Sequence, residues 1–169
     1  MNIAIWHKID LFAKSTAPFL MGLLLVIFSV VPTHIPHYSQ IAPIFAFVAI
    51  YHWSVYRPDL LSVLPVFLLG FIQDLLMGTP IGLYILVFLT VYGIVFSQRK
   101  FFIGRSFVFY WTGFAVIAAL ALLESYLLAS VWHLTFLDFN AIIFQYFVLL
   151  GVFPLITWVF LKWQLMFLQ

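Results

Sequence analysis

Six apolar runs, at about residues 16–33, 39–56, 60–77, 81–97, 107–131 and 141–161, constrain this chain more than any other feature. Each holds roughly 17 to 25 residues, the length a helix needs to cross a hydrocarbon core of about 30 Å. A transmembrane barrel would instead show short strands alternating apolar and polar positions, and that alternation is missing. Composition agrees: 66% of residues are hydrophobic and 7% are charged, against about 25% charged in an average soluble domain. Mean hydropathy is +1.20. The expected fold is all-α, a polytopic six-transmembrane-helix bundle forming a single integral membrane domain over residues 1–169. The connecting loops are too short to hold a soluble domain.

Local signals refine the spans. Lys8 and Lys14 ahead of an apolar run resemble a secretory signal, yet Pro32, Thr33 and His34 follow without a small-residue cleavage pattern. An uncleaved first span is expected. Ile3, Trp6, Ile9 and Phe12 recur at helical spacing before it, which fits either an interfacial helix or an extension of the span. Ser15 or Thr16 can cap span one, with Pro18 in its first turn. Tyr51, Trp53 and Tyr56 close span two as an interfacial aromatic belt. Asp59 is placed to cap span three, and Pro65 to kink it.

The basic residues set orientation. Lys8 and Lys14 precede span one, Arg57 follows span two, Arg99, Lys100 and Arg105 follow span four, and Lys162 follows span six. With six spans all seven fall on one side, and the positive-inside rule places both termini in the cytoplasm. The cluster Arg99, Lys100 and Arg105 has two readings. One is topology and attraction to anionic headgroups, at about 1 kcal/mol per basic residue near the surface. The other is a docking point for a cytoplasmic partner. A net charge of +2 scattered over loops does not make the basic footprint of a nucleic-acid binder.

Little in the chain suggests chemistry. The absence of cysteine excludes disulfides, thiolate metal sites and cysteine nucleophiles. His34, His37 and His133 flank the outer loops without any H-E-x-x-H spacing, so no metal is expected. Ser97, Ser106 and Ser125 have no adjacent His–Asp pair, and there is no glycine-rich phosphate loop. No catalytic residue and no cofactor are expected.

The stretch FLLGFIQDLLMGTPIG, residues 67–82, is the exception to this uniform apolarity. Gly70, Asp74 and Gly78 are four apart and share one helix face, and with Pro80 and Gly82 they form a motif expected either to bind a partner helix by close backbone approach or to hold the structural core. Gly78-Thr79-Pro80 then ends the span in a tight turn. A carboxylate in such a span is costly in lipid and should face protein or water. Asp74 lies about 14 residues into span three, roughly 21 Å, and Glu124 about 17 residues into span five, roughly 25 Å. Both therefore belong to the outer half of the bilayer. They could face a common polar cavity, an outward groove or an intramembrane partner. Alternatively each is hydrogen-bonded within the bundle, to Gln73, Thr79 or Ser125 for example. Small residues at Gly82, Thr90, Gly93 and Ser97 in span four, and at Ala118, Ala121, Ser125 and Ala129 in span five, allow close helix approach.

From Tyr56 to Phe102 the sequence resembles the central region of the MreD family, the rod shape-determining membrane proteins of bacteria. The resemblance rests on a Gly-x-x-x-Asp helix followed by a Gly-x-Pro-x-Gly-Leu turn, here Gly70, Asp74, Gly78, Pro80, Gly82 and Leu83. Length and span count extend it to essentially the whole chain. It implies a non-enzymatic inner-membrane scaffold of the machinery that builds lateral peptidoglycan. The implied partners are MreC, a single-span protein, together with MreB, RodA and a class B penicillin-binding transpeptidase. The implied fold is similar to the substrate-binding subunits of energy-coupling-factor transporters. That likeness carries an alternative function, a small-molecule-binding transporter subunit with Asp74 and Glu124 lining a vitamin-like site. Few polar residues are available to line one, which favours the scaffold.

Overall fold

The computed structural model describes residues 2–30, 43–134 and 139–167. Those residues form six α-helices and no strand: α1 (Asn2–Val30), α2 (Ala46–Tyr56), α3 (Val63–Met77), α4 (Leu83–Gln98), α5 (Phe107–His133) and α6 (Phe139–Phe167), with a 3₁₀ turn at Arg99–Phe101 before α5. Three stretches, Leu83–Phe101, Phe107–His133 and Phe139–Met166, are long and apolar enough to cross a membrane. Thr16–Val30 and Val63–Met77 are apolar but shorter.

The shortest helix sits at the centre. α2 has 11 residues, roughly 16 Å of helix, and every residue from Ala46 to Val55 is buried. α1, α4, α5 and α6 all pack on it, while α3 packs on α1 and most extensively on α4. Aromatic rings make the core around α2. Tyr51 lies 5.4 Å from Phe114 and 5.9 Å from Phe153, and those two rings stack at 4.2 Å. Offset and edge contacts of this kind are the favoured geometries of aromatic pairs. Gly113 lets the α5 backbone pass this cluster, since a Cβ there would collide with the Phe102 ring and lie 2.8 Å from the Tyr51 hydroxyl.

Several sequence expectations change. Ser15 and Thr16 do not cap a helix; α1 runs unbroken from Asn2 through Pro18 to Val30, with its apolar stretch at Thr16–Val30. The helical spacing of its first apolar residues continues into the span, so residues 2–15 extend it rather than forming a separate interfacial helix. Asp59 does not cap span three. It pairs with Arg57 at 3.4 Å, and Ser62 occupies the position before α3 without a side-chain cap. Pro65 falls in the first turn of α3, where its missing N–H would have had no helical partner, so no kink is called for. Tyr51 and Trp53 are fully buried in the bundle and do not form an interfacial belt. α6 continues past Lys162 to Phe167. The beginning of span two, with His34 and His37 before it, lies outside the described residues.

Candidate functional site

The motif residues of the 67–82 stretch converge where α3 turns into α4. Gly70 comes first. A Cβ on it would stand 2.6 Å from Ile85 Cα, 2.8 Å from Ile85 N and 2.9 Å from the Tyr84 carbonyl oxygen. These are backbone atoms, so only glycine allows α3 and α4 to approach this closely here.

One turn further on, Asp74 is completely buried. Its Oδ1 accepts hydrogen bonds from the Thr79 hydroxyl at 2.8 Å and the Tyr84 N–H at 2.9 Å, and its Oδ2 accepts from the Gly82 N–H at 2.9 Å. Gly82 and Tyr84 stand at the start of α4, where the first amides have no partner inside the helix. Asp74 therefore caps α4 from the neighbouring helix. The carboxylate also lies at the positive end of the α4 dipole. Three donors to one carboxylate offset the cost of burying it.

Two glycines give the turn its path. α3 ends at Gly78 with φ +65, a left-handed closure, and the Gly78 and Thr79 amides both return to the Asp74 carbonyl. Pro80 O accepts from Leu83 N at 3.1 Å, and Gly82 adopts φ +112. A side chain at either glycine would be strained. Glycine, aspartate and proline at this spacing thus make one hydrogen-bonded turn.

Glu124 has other partners. Its Oε1 accepts from the Thr90 hydroxyl at 3.0 Å, joining the middle of α5 to the middle of α4. Thr90 lies eight residues beyond Gly82, roughly 12 Å along α4, so Asp74 and Glu124 share no hydrogen-bond donor. Ser125 donates to the Leu122 carbonyl in its own helix.

The basic residues gather at the opposite end of the bundle from the α3–α4 turn. Arg99 lies over the Phe96 ring at 4.9 Å, Arg105 over Phe109 at 5.7 Å, and Lys162 over Trp158 at 4.1 Å. These are cation–π distances. Lys100 is exposed. A cleft of about 550 Å³ opens beside Arg99, between Tyr56, Asp59 and Ile103. A second, apolar groove of about 390 Å³ separates α5 from α6, lined by residues such as Leu122, Tyr126, Ile142 and Tyr146. Among the described residues no three His, Asp or Glu side chains come together as a metal site would require.

Sequence reasoning missed His52 and Ser29 in the core, and it gave Tyr51 and Gln73 other roles than the ones they have. His52 is fully buried, with Nδ1 3.1 Å from the Tyr110 hydroxyl and, among the described residues, no hydrogen-bond partner for Nε2. Tyr51 donates to the Tyr110 carbonyl at 2.9 Å. Gln73, expected as a partner of the intramembrane acids, is fully buried, and among the described residues neither end of its amide is bonded. Ser29 donates to Leu25 O and accepts from Phe45 N, tying α1 to the start of α2. Only the placement of these types within apolar runs marked them, and lone polar residues in a span carry no address.

A family model described as rod shape-determining protein MreD matches residues 13–168. Neither the curated proteins nor the solved structures gave a match. The family match takes in α2 to α6 whole and α1 from residue 13 onward. With its long apolar helices and its Gly-x-x-x-Asp hairpin, this chain belongs to the MreD family of rod shape-determining membrane proteins.

Proposed function

We propose that the chain is a non-enzymatic scaffold of the cell-elongation machinery, crossing the bacterial inner membrane six times with both termini in the cytoplasm. In this reading it grips the transmembrane segment of an MreC-like single-span protein. Through that complex it works with MreB, RodA and a class B penicillin-binding transpeptidase in lateral peptidoglycan synthesis. The six-crossing topology, similar to that of energy-coupling-factor substrate-binding subunits, belongs to the same proposal.

The family match over residues 13–168 carries the reading. Two observations support it. Arg57, Arg99, Arg105 and Lys162 all stand at one end of the helices, as expected if that end is cytoplasmic. Asp74 is enclosed by donors of its own hairpin, and the α5–α6 groove is lined by apolar side chains. Neither offers the convergent polar groups that a vitamin-like ligand needs, which favours the scaffold over the transporter subunit. In the scaffold reading the Gly70–Gly82 motif builds the fold, and partners meet other helix faces.

The test is co-expression of the full chain with its MreC-like single-span partner and affinity purification from membranes. A stoichiometric complex that survives detergent exchange is expected. Recovery of the chain free of that partner, under conditions where it elutes as a single folded species, would remove the scaffold reading.

A further inference from the structure

We infer that the seam between α4 and α5, with Glu124 at its centre, is the face that takes the partner's transmembrane helix, and that this helix carries a hydrogen-bond donor near its mid-height. The inference rests on the scaffold reading and names its contact surface.

Of Asp74 and Glu124, Glu124 is the acid that the fold leaves open. Asp74, by contrast, is fully buried and holds three donors. Glu124 is half-buried, and among the described residues Thr90 supplies the single hydrogen bond its carboxylate receives. It lies nine residues before the end of α5 at His133, roughly 13 Å below that end. Such a carboxylate at membrane depth, with unused lone pairs, is costly against acyl chains. A donor from another helix would complete it.

The surface around it is open. Leu120, Glu124 and Leu127 recur at helical spacing on α5, and the two leucines are 50% and 54% exposed. On α4, Gly93 follows Thr90 by three residues and is exposed, and a Cβ added to it would meet nothing within 4 Å. A helix laid along this seam would rest against a glycine, pack between leucines and present its donor to Glu124. Small residues and interhelical hydrogen bonds are what associate helices in lipid, because apolarity alone does not separate a helix from its solvent. The residues that line the α5–α6 groove include no acid, so it offers no carboxylate to a donor on a partner helix.

Leu120 and Leu127 are exposed, so the face can be mapped directly by single-site labels. A photo-reactive amino acid is placed at Leu120, at Leu127 or, as the comparison, at Phe147 in the α5–α6 groove, in the full chain co-expressed with the single-span partner. Adducts to the partner's span are expected from Leu120 and Leu127, at least about fivefold stronger than from Phe147. With the label at Leu127, Glu124→Leu should lower the adduct at least about tenfold. Glu124→Gln, which keeps an acceptor, should lower it less than about threefold.

Equal or stronger adducts from Phe147 would overturn the inference, as would adducts only to lipid or to a second copy of this chain. An adduct undiminished by Glu124→Leu would do the same. The mapping at Leu120 and Leu127 leaves Glu124 intact, so it decides the question even if Glu124→Leu fails to fold. If the unaltered chain recovers no partner at all, the scaffold reading falls with it; if it recovers the partner but these adducts are absent, only the seam is wrong.

Discussion

The α3–α4 hairpin and the α5–α6 pair are both antiparallel helix pairs, yet they are held together differently. In the first, Gly70 brings two backbones into contact, and a buried carboxylate reaches across to cap the second helix. In the second, two helices of 27 and 29 residues line an apolar groove of about 390 Å³. Hydropathy does not separate the pairs, since all four helices are strongly apolar. In an apolar solvent, burying leucine against leucine gains little, so association depends on close backbone packing and on polar groups that find partners. The first pair has both devices. In the second, the Trp111 indole donates to the Leu150 carbonyl at 3.2 Å, and a Cβ at Gly151 would meet nothing within 4 Å, so no glycine there brings the backbones together as Gly70 does.

The contrast can be broken most directly at Asp74. Asp74→Leu leaves the Gly82 and Tyr84 amides unpaired in an apolar interior, and each lost charge-assisted hydrogen bond is worth about 1.5–3 kcal/mol. A loss of at least about 3 kcal/mol is expected, read as a fall in the thermal midpoint of the detergent-solubilised chain. Asp74→Asn, which keeps one acceptor oxygen, should lose roughly half as much. A midpoint unchanged in both variants would show that the cap contributes nothing.

Gly70→Ala comes next. Its Cβ would fall 2.6 Å from a backbone carbon that cannot rotate away, so α3 must move off α4. Overpacking of this kind typically costs about 1–3 kcal/mol. The same measurement checks it, and a neutral result would mean that the hairpin is looser than the structure shows.

Ala119→Leu sharpens the comparison from the other side. Ala119 lines the α5–α6 groove and is exposed, so a larger side chain has room. A change within about 0.5 kcal/mol is expected, as for substitutions away from packed features. A loss as large as that of Gly70→Ala would show that the groove is closed by packing, and the difference between the pairs would disappear.

Much of the hairpin was legible before the fold was known. Gly70, Asp74 and Gly78 at intervals of four place one face, and Gly78-Thr79-Pro80 marks a turn. Thr79 was among the expected partners of Asp74, and the hydroxyl bond is present. The bonds to the Gly82 and Tyr84 amides were not foreseeable. They depend on the angle at which α4 leaves the turn, and the left-handed conformations of Gly78 and Gly82 set that angle. The central helix was misjudged for a related reason. Tyr51 and Trp53 near the end of a span suggest an interface, but the residue types are the same whether a ring meets headgroups or other rings.

What the sequence determined by itself was the solvent. Runs of apolar residues at membrane length, with cations confined to alternate connections, leave a helical membrane protein as the reading, because an unpaired backbone is not tolerated in hydrocarbon. What only the tertiary structure decided was which polar residues are spent inside the fold and which are left open. Asp74 and Glu124 are both carboxylates in apolar helices, and one is enclosed by amides while the other meets a single hydroxyl. That outcome is set by which helix ends and faces come together, a geometry that sequence spacing along one helix does not contain.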